Sequence, residues 1–146
     1  MKSYLLNGIV LLLLVVGCRR TDDVAPNDLL YRKWRIAKVQ YDTGDPVEVA
    51  ATNSWALVEF RQNGTILYGE DGKYDPCCSP ARFRWKGGIL DLQNVADIPM
   101  PERTPNGLCA QVSCALFDPF WQIAKLSPNE LVIQQDRAVV TYVPYP

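Results

Sequence analysis

Five cysteines and no histidine set the limits of the chemistry open to this 146-residue chain. Without an imidazole, the histidine-dependent forms of triad hydrolysis, histidine-ligated zinc and metalloprotease chemistry are excluded. A cysteine nucleophile needs a neighbouring base to lower its pKa, and Cys77, Cys78, Cys109 and Cys114 sit in proline-flanked loops that read as structural. Glu59, Glu70, Asp71, Asp75, Asp91, Asp97, Glu102, Asp118 and Glu130 could furnish the facing carboxyl pair of glycoside hydrolysis, but scattered acids of this kind belong on solvated faces. Residues 71–75 could offer oxygens to calcium, yet they lack the alternating acids and the closing Glu of an EF-hand loop and read as a polar turn. No glycine-rich phosphate loop of the required spacing is present. These residues point to no catalysis, no cofactor and no metal.

The fifth cysteine, Cys18, has a different setting. Lys2 precedes a short apolar stretch, residues 4–17, broken by Asn7-Gly8 and well short of the roughly 20 residues a helix needs to cross the hydrocarbon core. That is signal-peptide architecture over residues 1–17. Val15-Val16-Gly17-Cys18 resembles the lipobox of bacterial lipoproteins, and the resemblance implies that the Cys18 thiol receives a diacylglycerol. It also implies cleavage after Gly17 and acylation of the new amino terminus, as with palmitate. Two or more chains, at about 0.8 kcal/mol per buried methylene, anchor durably where one does not. The alternative is an ordinary signal peptide followed by a chance cysteine.

Removing Lys2 with the leader leaves 14 basic residues against the 16 acidic ones, a net charge of about −2. There is no basic stripe, so nucleic acid is not an expected partner, and the lipid on Cys18 supplies the membrane affinity. Residues 18–27 then form an acylated cysteine and a flexible tether, with a reach of about 30 Å. Asp22-Asp23 is similar to the acidic tag that directs some Gram-negative lipoproteins to the outer leaflet of the outer membrane. Arg19 stands where an inner-membrane retention signal carries Asp, which favours the outer membrane.

Four cysteines remain in a compartment that permits oxidation, and two disulfides are the default reading. Bridges joining the 77/78 pair to the 109/114 pair are favoured, because a ring closed between adjacent cysteines is strained. Each closes a loop of about 30 residues and contributes about 3 to 4 kcal/mol in the chain-entropy account. A four-thiolate zinc site is the alternative, and its spacing here is poor.

The elements that carry these residues read as one β domain over residues 28–146. Asn27 is expected to cap a helical turn over residues 28–32, and residues 34–41 turn to strand, with imperfect alternation. Ala56, Val58 and Phe60 alternate with Leu57, Glu59 and Arg61, and Asn63-Gly64 marks a hairpin into residues 65–69. Gly87-Gly88 marks a second hairpin between residues 82–86 and 89–93. Residues 94–119 form a long loop that needs tying down, which the disulfides would do. Three further runs follow, residues 120–126, 131–135 and 138–143. About eight short strands with tight connections predict an antiparallel up-and-down meander, closed to a barrel.

At this point the residues resemble a family, the small lipocalin-like lipoproteins of Gram-negative bacteria. Leu30-Tyr31-Arg32-Lys33-Trp34 is similar to its opening L-x-G-x-W signature, in which the Trp plugs the barrel base, with Arg32 where the family usually carries Gly. Residues 60–66 are similar to its F-x-x-[DN]-G-T hairpin, and residues 121–133 to its late aromatic-x-I-x-x-L hairpin. The resemblance implies a lipocalin-like barrel with an apolar interior and names no particular ligand. Trp55, Phe60, Tyr68, Trp85, Trp121 and Ile123 are the side chains expected to line such a cavity and to meet a small apolar or amphiphilic molecule. The alternatives are a module that contacts another envelope protein through the cysteine-tied loops, and a structural domain with a filled core.

Overall fold

Short runs of β-branched and aromatic residues bounded by glycine, proline and asparagine satisfy their backbone groups by pairing with one another, and here they do so in one antiparallel sheet. The computed structural model describes residues 26–114 and 118–146. The expected signal peptide, the lipidated Cys18 and residues 18–25 of the tether lie outside the described residues.

The described residues form nine strands: β1 Lys33–Tyr41, β2 Val47–Glu48, β3 Leu57–Phe60, β4 Ile66–Tyr68, β5 Arg84–Lys86, β6 Ile89–Asp91, β7 Phe120–Ser127, β8 Glu130–Gln135 and β9 Ala138–Pro144. β1 carries β3 on one edge and β9 on the other; β3 leads to β4, and β9 leads through β8, β7 and β6 to β5. The two remaining edges meet. Thr65 lies opposite Arg82, the Phe83 N–H donates to the Gly64 carbonyl at 2.8 Å, and the Ile66 N–H donates to the Ala81 carbonyl at 2.8 Å. The sheet is thus curled into a ring whose strands follow chain order, the expected meander. β2 is an addition to it, sharing with β3 one edge of β1. Two residues behind Asp45-Pro46 are too short a run to show a period.

The registers define a base and a mouth. At the base lie Trp34, paired with Pro144, and the tight turns at Asn63-Gly64, Gly87-Gly88 and Pro128-Asn129. At the mouth lie Tyr41, paired with Ala138, and the long connections from β1 to β3, β4 to β5 and β6 to β7. The expected helical turn is instead a 3-10 turn, Pro26–Leu29, so Asn27 falls inside it. Proline suits a first helical position, and the chain leaves the helical path by residue 32, whose N–H donates to the Leu30 carbonyl at 2.8 Å instead of to a carbonyl three or four residues back.

Two register shifts, at Ala37 in β1 and Ala124 in β7, bend the sheet. They also explain the imperfect alternation. Trp34 and Ile36 pack inward before the first bulge, and Val39 after it; Trp121 and Ile123 do so before the second, and Leu126 after it.

The base is filled. Trp34 is fully buried, and its indole N–H donates to the Leu30 carbonyl at 3.0 Å. Phe60 and Phe83 meet edge to face with centroids 5.6 Å apart. Arg32, which stands where the resemblance places Gly, lays its guanidinium 4.2 Å from the Trp34 ring centroid and donates to the Ser127 and Pro128 carbonyls at 3.3 and 2.5 Å.

Gly64 sits at the seam with φ +83°, where a Cβ would fall 2.7 Å from the Phe83 carbonyl oxygen. Gly64→Ala is therefore expected to cost about 2 to 4 kcal/mol in urea unfolding, through both the left-handed backbone and the pushed-apart seam. A loss below about 0.5 kcal/mol would mean that the seam does not hold the ring.

Candidate functional site

A sheet that bends away from a filled base leaves room at its other end, and a cleft of about 230 Å³ opens there. Ile36, Val39, Val58 and Val140 form its apolar wall, with Tyr68, Trp121 and Tyr142 as aromatic lining. Gln135 and Ser79 add polar groups, and Tyr41 stands exposed at the rim.

Both inner tyrosines are buried. The Tyr68 hydroxyl donates to the Pro80 carbonyl at 2.7 Å, and Gln135 Nε2 donates to the Tyr142 hydroxyl at 3.5 Å. Burial pushes the Tyr68 pKa far above its ordinary value, with nearby Tyr142 adding to the rise, and burial raises that of Tyr142 as well. Both phenols therefore remain protonated donors at neutral pH.

The loop that walls the cleft is held covalently. Cys77 is bonded to Cys109 and Cys78 to Cys114, with Cα separations of 5.1 and 5.3 Å. This is the expected pairing between the two groups, with its connectivity now assigned; it leaves no thiolate among these four for zinc. Asn106 reinforces it: its side-chain oxygen accepts from the Leu108 N–H at 3.0 Å, capping the 3-10 turn Gly107–Gln111, and its amide donates to the Asp75 carbonyl at 3.0 Å. Arg103 pairs with Asp75 at 3.3 Å and lies 5.6 Å from the Tyr68 ring centroid. The loop bearing Ser79 and Pro80 is thereby fixed against the barrel wall.

Of the six side chains expected to line a cavity, the structure brings Tyr68 and Trp121 together at the cleft. Phe60 is buried in the base against Phe83. Ile123 packs against the core from a half-buried position, as does Trp85, which borders a groove outside the barrel. Trp55 is 46 % exposed on the 3-10 turn Ser54–Ala56, because that turn ends before β3 begins and leaves Trp55 off the strand. Residue type alone missed Ile36, Val39, Val58, Gln135, Val140 and Tyr142. The signal that could have found Ile36 and Val39 is the phase change in residues 34–41, a bulge written into the pattern.

The outer groove is larger, about 670 Å³, and open, and Arg84 and Asp97 occupy its polar side by pairing with each other. The smaller cleft is the one that combines an apolar wall with buried donors, as ligand sites do. Among the described residues no group of three or more His, Cys, Asp or Glu side chains is placed to hold a metal ion, and no helix is long and apolar enough to cross a membrane.

The chain matches no protein-family model and no curated protein. It is similar to the crystal structure of a lipocalin-like protein from Bacteroides uniformis, at 14 % identity and a TM-score of 0.40, over 80 % of this chain and 99 % of that one. The all-β description rests on the strand pairing itself.

The two bridges join neighbouring cysteines to one segment, so with either intact the other closes a ring of only a few residues. Removing one is expected to cost about 2 kcal/mol and removing the second a further 3 to 4 kcal/mol. Urea unfolding of the Cys78→Ala/Cys114→Ala variant and of the variant lacking all four cysteines checks this. A first loss as large as the second would contradict it.

Proposed function

We propose that this chain is a non-catalytic, lipid-anchored protein of the bacterial envelope, whose lipocalin-like barrel takes a small apolar or amphiphilic molecule into its mouth. The observation that carries the reading is the cleft, an apolar volume with buried hydroxyl donors left open above a base that Trp34, Phe60 and Phe83 fill completely. A purely structural domain would have packed that end as it packs the other. The meander in chain order and the three motifs around Trp34, Gly64 and Trp121 support the lipocalin-like description.

The anchoring half of the reading rests on Val15-Val16-Gly17-Cys18, and the outer-membrane address on Asp22-Asp23 and Arg19. A second use of the loop between β6 and β7 has its own observation: Leu108 and Val112 are exposed on the part of it that the disulfides tie, and would suit contact with another envelope protein.

Val39→Trp tests the cleft. It fills the apolar wall from a half-buried position, and native mass spectrometry is expected to show a small-molecule adduct on the wild-type protein that the variant, with an unchanged melting temperature, has lost. An adduct retained on the variant would place the ligand elsewhere. For the anchor, labelled palmitate is expected to enter the wild-type protein in cells and not Cys18→Ser, which should leave the membrane fraction. Unchanged membrane association of that variant would remove the anchor from the account.

A further inference from the structure

We infer that the mouth cleft selects an uncharged guest of about bicyclic size that accepts a hydrogen bond from Tyr142, an alcohol, ketone or amide, and rejects carboxylates and ammonium ions. The inference rests on the cleft being the binding site and adds the chemical class of what it takes.

Charge comes first. The lining of the cleft holds no Asp, Glu, Lys or Arg, its polar members being tyrosines, Ser79 and Gln135. On the loop side, Arg103 lies against the Tyr68 ring and is already paired with Asp75. At the rim, Asp136 and Arg137 in the β8–β9 turn are exposed, opposite in sign and 3.8 Å apart. A charged head drawn into the cleft would lose its water and meet no counter-ion, the costliest kind of burial.

Hydrogen bonding comes second. The Tyr68 proton is spent on the Pro80 carbonyl. Tyr142 is different: its hydroxyl accepts from Gln135, and among the described residues its own proton has no acceptor, although the residue is only 3 % exposed. A buried donor left without a partner is costly, and a guest oxygen would supply one.

Size comes third. At the packing density of protein interiors, a cleft of about 230 Å³ holds roughly 170 Å³ of guest, on the order of a bicyclic aromatic.

Calorimetric titration of the purified protein at pH 7 with naphthalene, α-naphthol, α-naphthoate and α-naphthylmethylammonium tests all three points with guests of one shape. The expected order is α-naphthol first, naphthalene about fivefold weaker for want of the hydrogen bond, and both ions at least about tenfold weaker than α-naphthol. Tyr142→Phe should bring α-naphthol down to naphthalene and leave naphthalene unchanged. Naphthoate or the ammonium ion binding as tightly as α-naphthol would overturn the selection while leaving the cleft as the site. Naphthalene matching α-naphthol on the wild-type protein would overturn the role of Tyr142. Failure of all four guests to bind would remove the cleft itself.

Discussion

Two backbone hydrogen bonds, from Phe83 to Gly64 and from Ile66 to Ala81, turn a strip of sheet into a ring. They lie where the sheet is thinnest. β1, β7, β8 and β9 pair over five to seven registered positions, whereas β3, β4, β5 and β6 pair over three each. A seam this short tolerates no wedge, which is why the hairpin glycine must be a glycine: the same atom that would strain the turn would also push the Phe83 carbonyl away. The segment joining β4 to β5, across the seam, is also the one the two disulfides hold. Covalent cross-links are thus placed where hydrogen bonding is sparse, and the ring, the cleft and the loop over it stand or fall together.

The cleft follows from how the barrel bends. A strand without a bulge would carry one alternating set of side chains inward along its whole length. The shifts at Ala37 and Ala124 change that set midway, so that on β1 Trp34 plugs the base while Ile36 and Val39, on either side of the bulge, line the cleft. Arg32 completes the contrast by covering Trp34 and holding the β7–β8 turn, which seals the base against water.

Much of this is legible in the amino-acid sequence, for reasons of local physics. Gly64, Gly87 and Gly88 adopt positive φ at little cost, and the Asn63 side chain accepts from the Thr65 N–H, so two hairpins are fixed. Cys77 and Cys78 cannot readily bridge each other, so two partners had to come from 109 and 114. The inward face is less legible, because it depends on where a bulge falls, and one residue of slip exchanges the faces. Trp55 shows the difficulty: an aromatic next to a strand looks like lining, and a three-residue turn puts it outside. Tyr142 shows the converse, an alternating strand tyrosine whose importance lies in an unspent proton, which no pattern of residue types displays.

The barrel has a polarity that its strand order imposes. Leu30, whose carbonyl holds the Trp34 indole, brings the chain in at the sealed end, and the long connections and the cleft lie at the other. Were the proposed anchor in place, the flexible tether would join the barrel at its plugged floor and leave the opening on the far side of the point of attachment.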